Sequence, residues 1–186
     1  EQYPALHRQT EFRHFNVNDG LSSQFCRGKL VVDNLGYLWI GTVDGLNKYN
    51  GYKFEVFRNN PHDHNSLSSN TIRQILEGKN GSIWIGTSNL KGLGLHEYNS
   101  IAHAFYRHSS SLIDSTVHGW RGALTSMFED RNGTLWVGTT QGLYQVNRKL
   151  TSSTSYSPGG QKLTFIRHFR NPENSQSLSS DSVLSL

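Results

Sequence analysis

Gly81-Ser82-Ile83-Trp84-Ile85-Gly86-Thr87 is one of three closely similar stretches in this chain. Gly36-Tyr37-Leu38-Trp39-Ile40-Gly41-Thr42 precedes it, and Gly133-Thr134-Leu135-Trp136-Val137-Gly138-Thr139 follows it. Their tryptophans lie 45 and 52 residues apart, and self-similarity at such a period marks a repeat architecture. β-Branched and aromatic residues fill the middle of each copy and glycine bounds it, which reads as a strand. Alternate residues of a strand point to opposite faces. Tyr37, Trp39 and Gly41 therefore share one face, and Leu38, Ile40 and Thr42 the other. Both faces carry bulk, so the strand is expected between two packed sheets.

Outward from each copy the same order recurs. In the first unit Gly28–Asp33 reads as an inner strand, the tryptophan strand follows, and Asp44-Gly45 and Asn50-Gly51 turn the chain into Leu46–Tyr49 and Tyr52–Phe57. The second unit takes Thr71–Glu77, Ser82–Thr87, Gly94–Tyr98 and His103–Tyr106; the third takes Ala123–Glu129, Thr134–Thr139, Leu143–Asn147 and Leu163–Phe169. Asn80-Gly81 and Asn132-Gly133 predict type I′ turns before their tryptophan strands. The links repeat as well: Phe57-Arg58-Asn59 through Leu67-Ser68-Ser69-Asn70 matches Phe169-Arg170-Asn171 through Leu178-Ser179-Ser180-Asp181, with Leu21-Ser22-Ser23 a shorter version. The link from His108 to Gly122 carries Trp120-Arg121 instead, and Lys149–Gln161 reads as a Ser/Thr/Gly-rich insert.

Four-stranded antiparallel meanders at this period are propeller blades. The expected fold is all-β, a partial β-propeller of three complete blades over about residues 24–58, 70–107 and 122–170. Residues 1–10 are expected to be a tail, and 11–15 and 181–186 to be strand stubs of neighbouring blades. A closed propeller has four to eight blades, so 11–186 is expected to be a fragment of a longer chain, or to associate as a homodimer.

The 186 residues suffice for one domain with its own core. Glycine is plentiful at 18 residues and the hydrophobic share is 34%, which suits short strands with many turns. The net charge of +4 is scattered, whereas a nucleic-acid groove needs clustering. No run is long enough to span a membrane. The single cysteine, Cys26, excludes an internal disulfide.

Leu67-Ser68-Ser69-Asn70, the Asn80-Gly81 turn, Ile83-Trp84-Ile85-Gly86-Thr87 and the Gly-Leu-then-Tyr pattern of Gly45-Leu46, Tyr49 and Gly142-Leu143, Tyr144 together resemble the two-component regulator propeller repeat. The resemblance covers about residues 11–186. It implies the periplasmic sensor region of a hybrid two-component system histidine kinase, a regulator of glycan utilisation in gut Bacteroidetes. In that family the propellers precede a membrane helix, a kinase and a regulator output. The implied partner is a glycan-derived ligand, with no nucleic acid, and with the membrane reached only through segments downstream.

Recurrence at one strand position assigns Trp39, Trp84 and Trp136 to packing between blades. Trp120 stands outside the repeat, beside Arg121. Links leading into inner strands lie on the propeller face that carries the axial pocket, which singles out Asn70, Arg73, Trp120 and Arg121 as ligand-binding candidates. Aromatic rings stack on sugars and arginine grips a carboxylate or sulfate, so the four suit an acidic glycan. For Arg73 a salt bridge between blades is the competing role. His62-Asp63-His64 reads as a solvated loop, since metal sites need more converging ligands. Asp33, Glu77, Glu129 and Asp130 recur at near-equivalent places and read as turn-formers. No catalytic residue, cofactor motif or metal site is assigned. The alternatives are a carbohydrate-active propeller enzyme and a protein-interaction scaffold, because propellers host many functions.

Overall fold

The computed structural model describes residues 12–88, 94–108, 122–148 and 163–186. Each of its three sheets is a four-stranded antiparallel meander in sequence order. The first holds β1 (Cys26–Val32), β2 (Leu38–Thr42), β3 (Gly45–Tyr49) and β4 (Phe54–Phe57). The second holds β5 (Ile72–Glu77), β6 (Ile83–Thr87), β7 (Leu95–Asn99) and β8 (Ala104–His108). The third holds β9 (Leu124–Glu129), β10 (Leu135–Thr139), β11 (Gly142–Arg148) and β12 (Leu163–His168). The 1–10 tail, the Lys149–Gln161 insert and most of the His108–Gly122 link, Trp120 and Arg121 included, lie outside the described residues.

The sheets stack face to face with β1, β5 and β9 side by side. Trp39 and Leu46 of the first sheet pack with Ile72, Ile75, Ile83, Ile85, Tyr98 and Phe105 of the second. Trp84 and Leu95 of the second pack with Leu124, Met127, Leu135, Val137 and Tyr144 of the third. Trp39 and Trp84 thus face the following blade, while Ile83, Ile85 and Val137 face the preceding one. Trp39 and Trp84 are 1% exposed; Trp136 is half-buried, its ring tilted against that of His168 at 5.8 Å between centroids. Phe57 and His108 take the same place beside Trp39 and Trp84.

The glycine two residues beyond each tryptophan seats the next blade. A Cβ on Gly41 would lie 2.7 Å from Ile72 Cγ2, one on Gly86 2.6 Å from Leu124 Cδ2, and one on Gly138 3.0 Å from Val183 Cγ1. Hydrogen there lets an aliphatic side chain of the following inner strand reach the backbone.

Two expectations need correction at the turns. Asp33, Gly78 and Asp130 each donate their amide to the carbonyl four residues on, and Gly36, Gly81 and Gly133 each donate to the carbonyl three residues back. Of the loop residues only the glycines have positive φ, 84°, 76° and 81°. A type I′ turn needs positive φ at both central residues. These are three-residue loops, a type I turn closed by a left-handed glycine, so Asn80 and Asn132 stay in the ordinary region. In the links, the registers Leu46↔Phe57 and Leu143↔His168 make His168 the counterpart of Phe57, one residue before Phe169. From there the two links coincide: Asn60 N and Asn171 N donate to Ser66 Oγ and Ser177 Oγ, both at 2.9 Å.

The expected stubs form no strands. Residues 12–16 are irregular, and the Phe15 ring packs on Tyr49 and Phe54, 5.1 and 5.5 Å away, because burying the ring against the first blade needs no ladder. Residues 181–186 are likewise unpaired as a strand, yet the Val183 amide donates to Thr139 O at 2.9 Å, and its carbonyl accepts from the Thr125 hydroxyl.

The carboxylates at the turns are spent on the scaffold. Asp33 Oδ2 accepts from Trp39 Nε1 at 2.8 Å, and its Oδ1 from the Leu35 and Tyr37 amides. Asp130 does the same for Trp136 at 3.0 Å and for the Asn132 and Thr134 amides; the indole N–H holds its carboxyl below the usual range. Gly78 stands at this place in the second blade, and a Cβ there would fall 2.6 Å from Glu129 Oε2 of the third. Glu129 reaches across the seam to the Lys79 amide at 3.1 Å, as Glu77 reaches the Asn34 amide at 2.8 Å.

Gly41→Ala is expected to cost about 1–3 kcal/mol by overpacking, and shortening its neighbour in Gly41→Ala/Ile72→Val is expected to cost less than the sum of the two single changes. Urea midpoints of the four proteins check this. Asp33→Ala removes three bonds and strands the indole N–H, an expected loss of ~2–3 kcal/mol by the same measurement.

Candidate functional site

The candidate residues meet the structure on the face that carries the links and the β2–β3 hairpin. Asn70 Oδ1 accepts from the Asn59 amide at 2.7 Å, and its Nδ2 donates to Asp44 Oδ1 at 3.2 Å. Asp44, in the hairpin, also receives the Arg58 guanidinium at 3.0 Å. The Thr71 hydroxyl donates to Val43 O at 3.2 Å. Asn70 therefore ties the incoming link to the preceding blade. Arg73 lies exposed at the start of β5, and its Nη2 donates to Ser88 Oγ at 3.3 Å. It bridges no blades, and among the described residues it has no ion pair, so its guanidinium remains open to solvent. Asn70 and Arg73 turn to different partners; Trp120 and Arg121 lie outside the described residues.

The link between the first two blades is itself built from side chains. Arg107 of β8 donates to Ser66 O at 2.7 Å and to Leu67 O and Ser66 Oγ at 2.9 Å. Asp63 spends an oxygen on the Asn65 amide at 2.8 Å, and among the described residues no group of three or more metal-ligating side chains gathers.

Two buried residues that the sequence reading missed, Asn47 and His96, hold the links to the sheets. Asn47, His96 and Tyr144 stand opposite Ile40, Ile85 and Val137 in their ladders. Asn47 Oδ1 accepts from the Ser22 amide at 2.8 Å. In the second blade His96 Nε2 accepts from the Ser68 amide at 3.0 Å, and Nδ1 lies 3.1 Å from Gly94 O. An amide only donates, so Nε2 is the acceptor and the proton sits on Nδ1. The signal available was their common place, two residues after Gly45, Gly94 and Gly142. Burial is the leading cause that pushes the His96 pKa down to about 3.

Sheets of four meandering strands, stacked face to face on their first strands, define a β-propeller. The profile of the two-component regulator propeller matches residues 66–89 and 122–141, in the second and third blades. A 57-residue stretch, 31% of this chain and 4% of the relative, is 47% identical to Histidine kinase P4 of Formosa agariphila. The fold is similar to the extracellular domain of BT4673 from B. thetaiotaomicron, described as a hybrid two component system, with TM-score 0.64 and 21% identity over 92% of this chain and 20% of that one. A second structure of that domain gives TM-score 0.61 and 21% identity over 90% of this chain and 19% of that one. The chain thus spans about a fifth of the solved domain.

Between the folded pKa near 3 and the ordinary 6.5, the unfolded chain binds a proton at His96 that the folded chain refuses. Stability from this residue is full above pH 6.5 and is expected to fall by ~1.4 kcal/mol per unit as pH drops toward 3. His96→Asn, which installs the first blade's residue, is expected to remove that component in denaturant midpoints measured across the range.

Proposed function

We propose that the chain is part of the extracytoplasmic, ligand-sensing propeller of a hybrid two-component sensor histidine kinase. Its ligand is a glycan-derived oligosaccharide with acidic character, and binding regulates carbohydrate utilisation. The observation that carries the reading is the match of the two-component regulator propeller profile to residues 66–89 and 122–141. The stretch similar to a histidine kinase and the likeness of fold to an extracellular domain support it. A periplasmic location, a downstream kinase and pairing of two copies belong to the same proposal.

Asn70, Arg73, Trp120 and Arg121 are the residues assigned to the ligand. Arg73 has the chemistry for it: an exposed guanidinium with one side-chain partner, beside a link face already organised by Asn70 and Asp44. The carboxylates that hydrolysis would need at the inner-strand ends are engaged with backbone amides and indoles, which favours binding over cleavage. A ligand shifts a signalling equilibrium only as far as it prefers one state.

A panel of oligosaccharides, neutral and acidic, tests this by thermal shift. At ligand near 100 times Kd, binding to the folded form alone adds about 2.7 kcal/mol, an easily read rise in Tm. Arg73→Ala, Trp120→Ala and Arg121→Ala are expected to shrink that rise. A panel in which no saccharide raises Tm rejects the ligand assignment, and a full-length gene without a kinase rejects the class.

A further inference from the structure

We infer that the cleft around the Lys48 ammonium, at the seam of the first two blades, binds a carboxylate carried on a hydroxylated, sugar-sized ring. The inference goes beyond the link face and stands on other residues, though the ligand class agrees with the proposed function.

Lys48 lies on β3, opposite Trp39 in β2 and Glu55 in β4. Its Nζ sits 4.0 Å from the centroid of Tyr37, 5.3 Å from that of Trp39 and 5.5 Å from that of Tyr98. Rings attract a cation through their quadrupoles, but an ammonium carries three N–H donors. Its cross-strand neighbour Glu55 turns away, to 3.9 Å from His103 Nδ1. Among the described residues no carboxylate comes within ion-pair distance of Lys48. A half-buried positive charge is thus held in place by aromatics with its directional bonds unspent.

It opens onto a cavity of about 370 Å³ lined by Tyr37, Lys48, Asn50, Lys53, Glu55 and His103, within the ~300–1,000 Å³ of ligand pockets. Lys53 adds a second positive charge. Asn50 Oδ1 is occupied by the Tyr52 and Lys53 amides, leaving its NH₂ group as a donor. His103 comes from the second blade and holds φ at 49°, a conformation that non-glycine residues keep chiefly where the surroundings enforce it; Tyr98 Oη, 3.2 Å away, is that contact. The walls therefore combine two cations with one carboxylate. A bare anion satisfies only the lysines. An anion that also carries hydroxyls satisfies the lysines with its charge and Glu55 with an O–H.

The next seam shows that this is not a property of the repeat. The residue opposite Trp84 is Glu97, and the one opposite Trp136 is Gln145. The charge at this place changes from blade to blade, while the packing residues keep their pattern.

Titration of the isotope-labelled chain with glucuronate, glucose and sodium sulfate, read by amide NMR shifts, tests the inference. Saturable shifts at Tyr37, Lys48, Lys53 and His103 are expected with glucuronate, weaker ones with sulfate and none with glucose. Lys48→Met is expected to weaken glucuronate binding by about tenfold or more, and Lys53→Gln, which alters only an outer charge, by a smaller factor; the second variant carries the test should the first not fold. Absence of saturable shifts at these amides, glucose or sulfate equalling glucuronate, or unchanged affinity in both variants overturns it. Shifts confined to the surroundings of Arg73 overturn it too, and leave the link-face proposal standing.

Discussion

An isoleucine needs somewhere to put its branch, and in this chain it puts it where a glycine has no side chain. Ile72 on Gly41, Leu124 on Gly86 and Val183 on Gly138 are one contact made three times. The close approach brings consecutive sheets within reach of an indole, so the tryptophan two residues earlier can fill what remains of the seam. Packing an indole is worth several times the ~1 kcal/mol of a hydrogen bond. The seam is thus set by volume, and the polar contacts are arranged around it.

The polar contacts bear this out by varying. The place filled by Asp33 and Asp130 holds Gly78 in the second blade, and the Glu129 carboxylate of the third occupies the space. The place filled by Asn47 holds His96, with the amide of the incoming link bonded in both. Different groups meet one geometric demand, and each brings its own side effect. Histidine makes its blade sensitive to acid in a way that asparagine cannot.

The fold was legible because its cause is periodic. Three copies of one stretch, with alternating faces and glycines at both ends, specify the meander and that both faces of its tryptophan strand are covered. The turns were misread because Asn-Gly is the signal for two loop types, and the choice depends on how many residues the ladder leaves over, which the pairing of Gly78 and Asp130 decides from outside the dipeptide. The link was set one residue out because Phe169 imitates Phe57 in letters, while His168 takes its place against the indole. The stubs were misjudged because Phe15 is anchored by ring contacts and Val183 by its own amide and carbonyl, neither of which alternation encodes. Of the candidate site, Arg73 was visible from its place at the mouth of an inner strand. Asp44, which organises Asn70 and Arg58, was read only as half of a turn. The Lys48 cage was invisible, because it joins Tyr37 and Tyr98 from two blades.

The reach of Glu77 and Glu129 across the seams has a consequence for how such a chain is made. Each hook closes an amide that belongs to the blade before it, 43 residues upstream in one case and 50 in the other. As the polypeptide emerges into the compartment where it folds, amino-terminal parts first, a newly formed blade has its turn completed only when the following inner strand has emerged. Assembly is therefore vectorial, each unit latched by its successor, and the youngest is always the one still ajar.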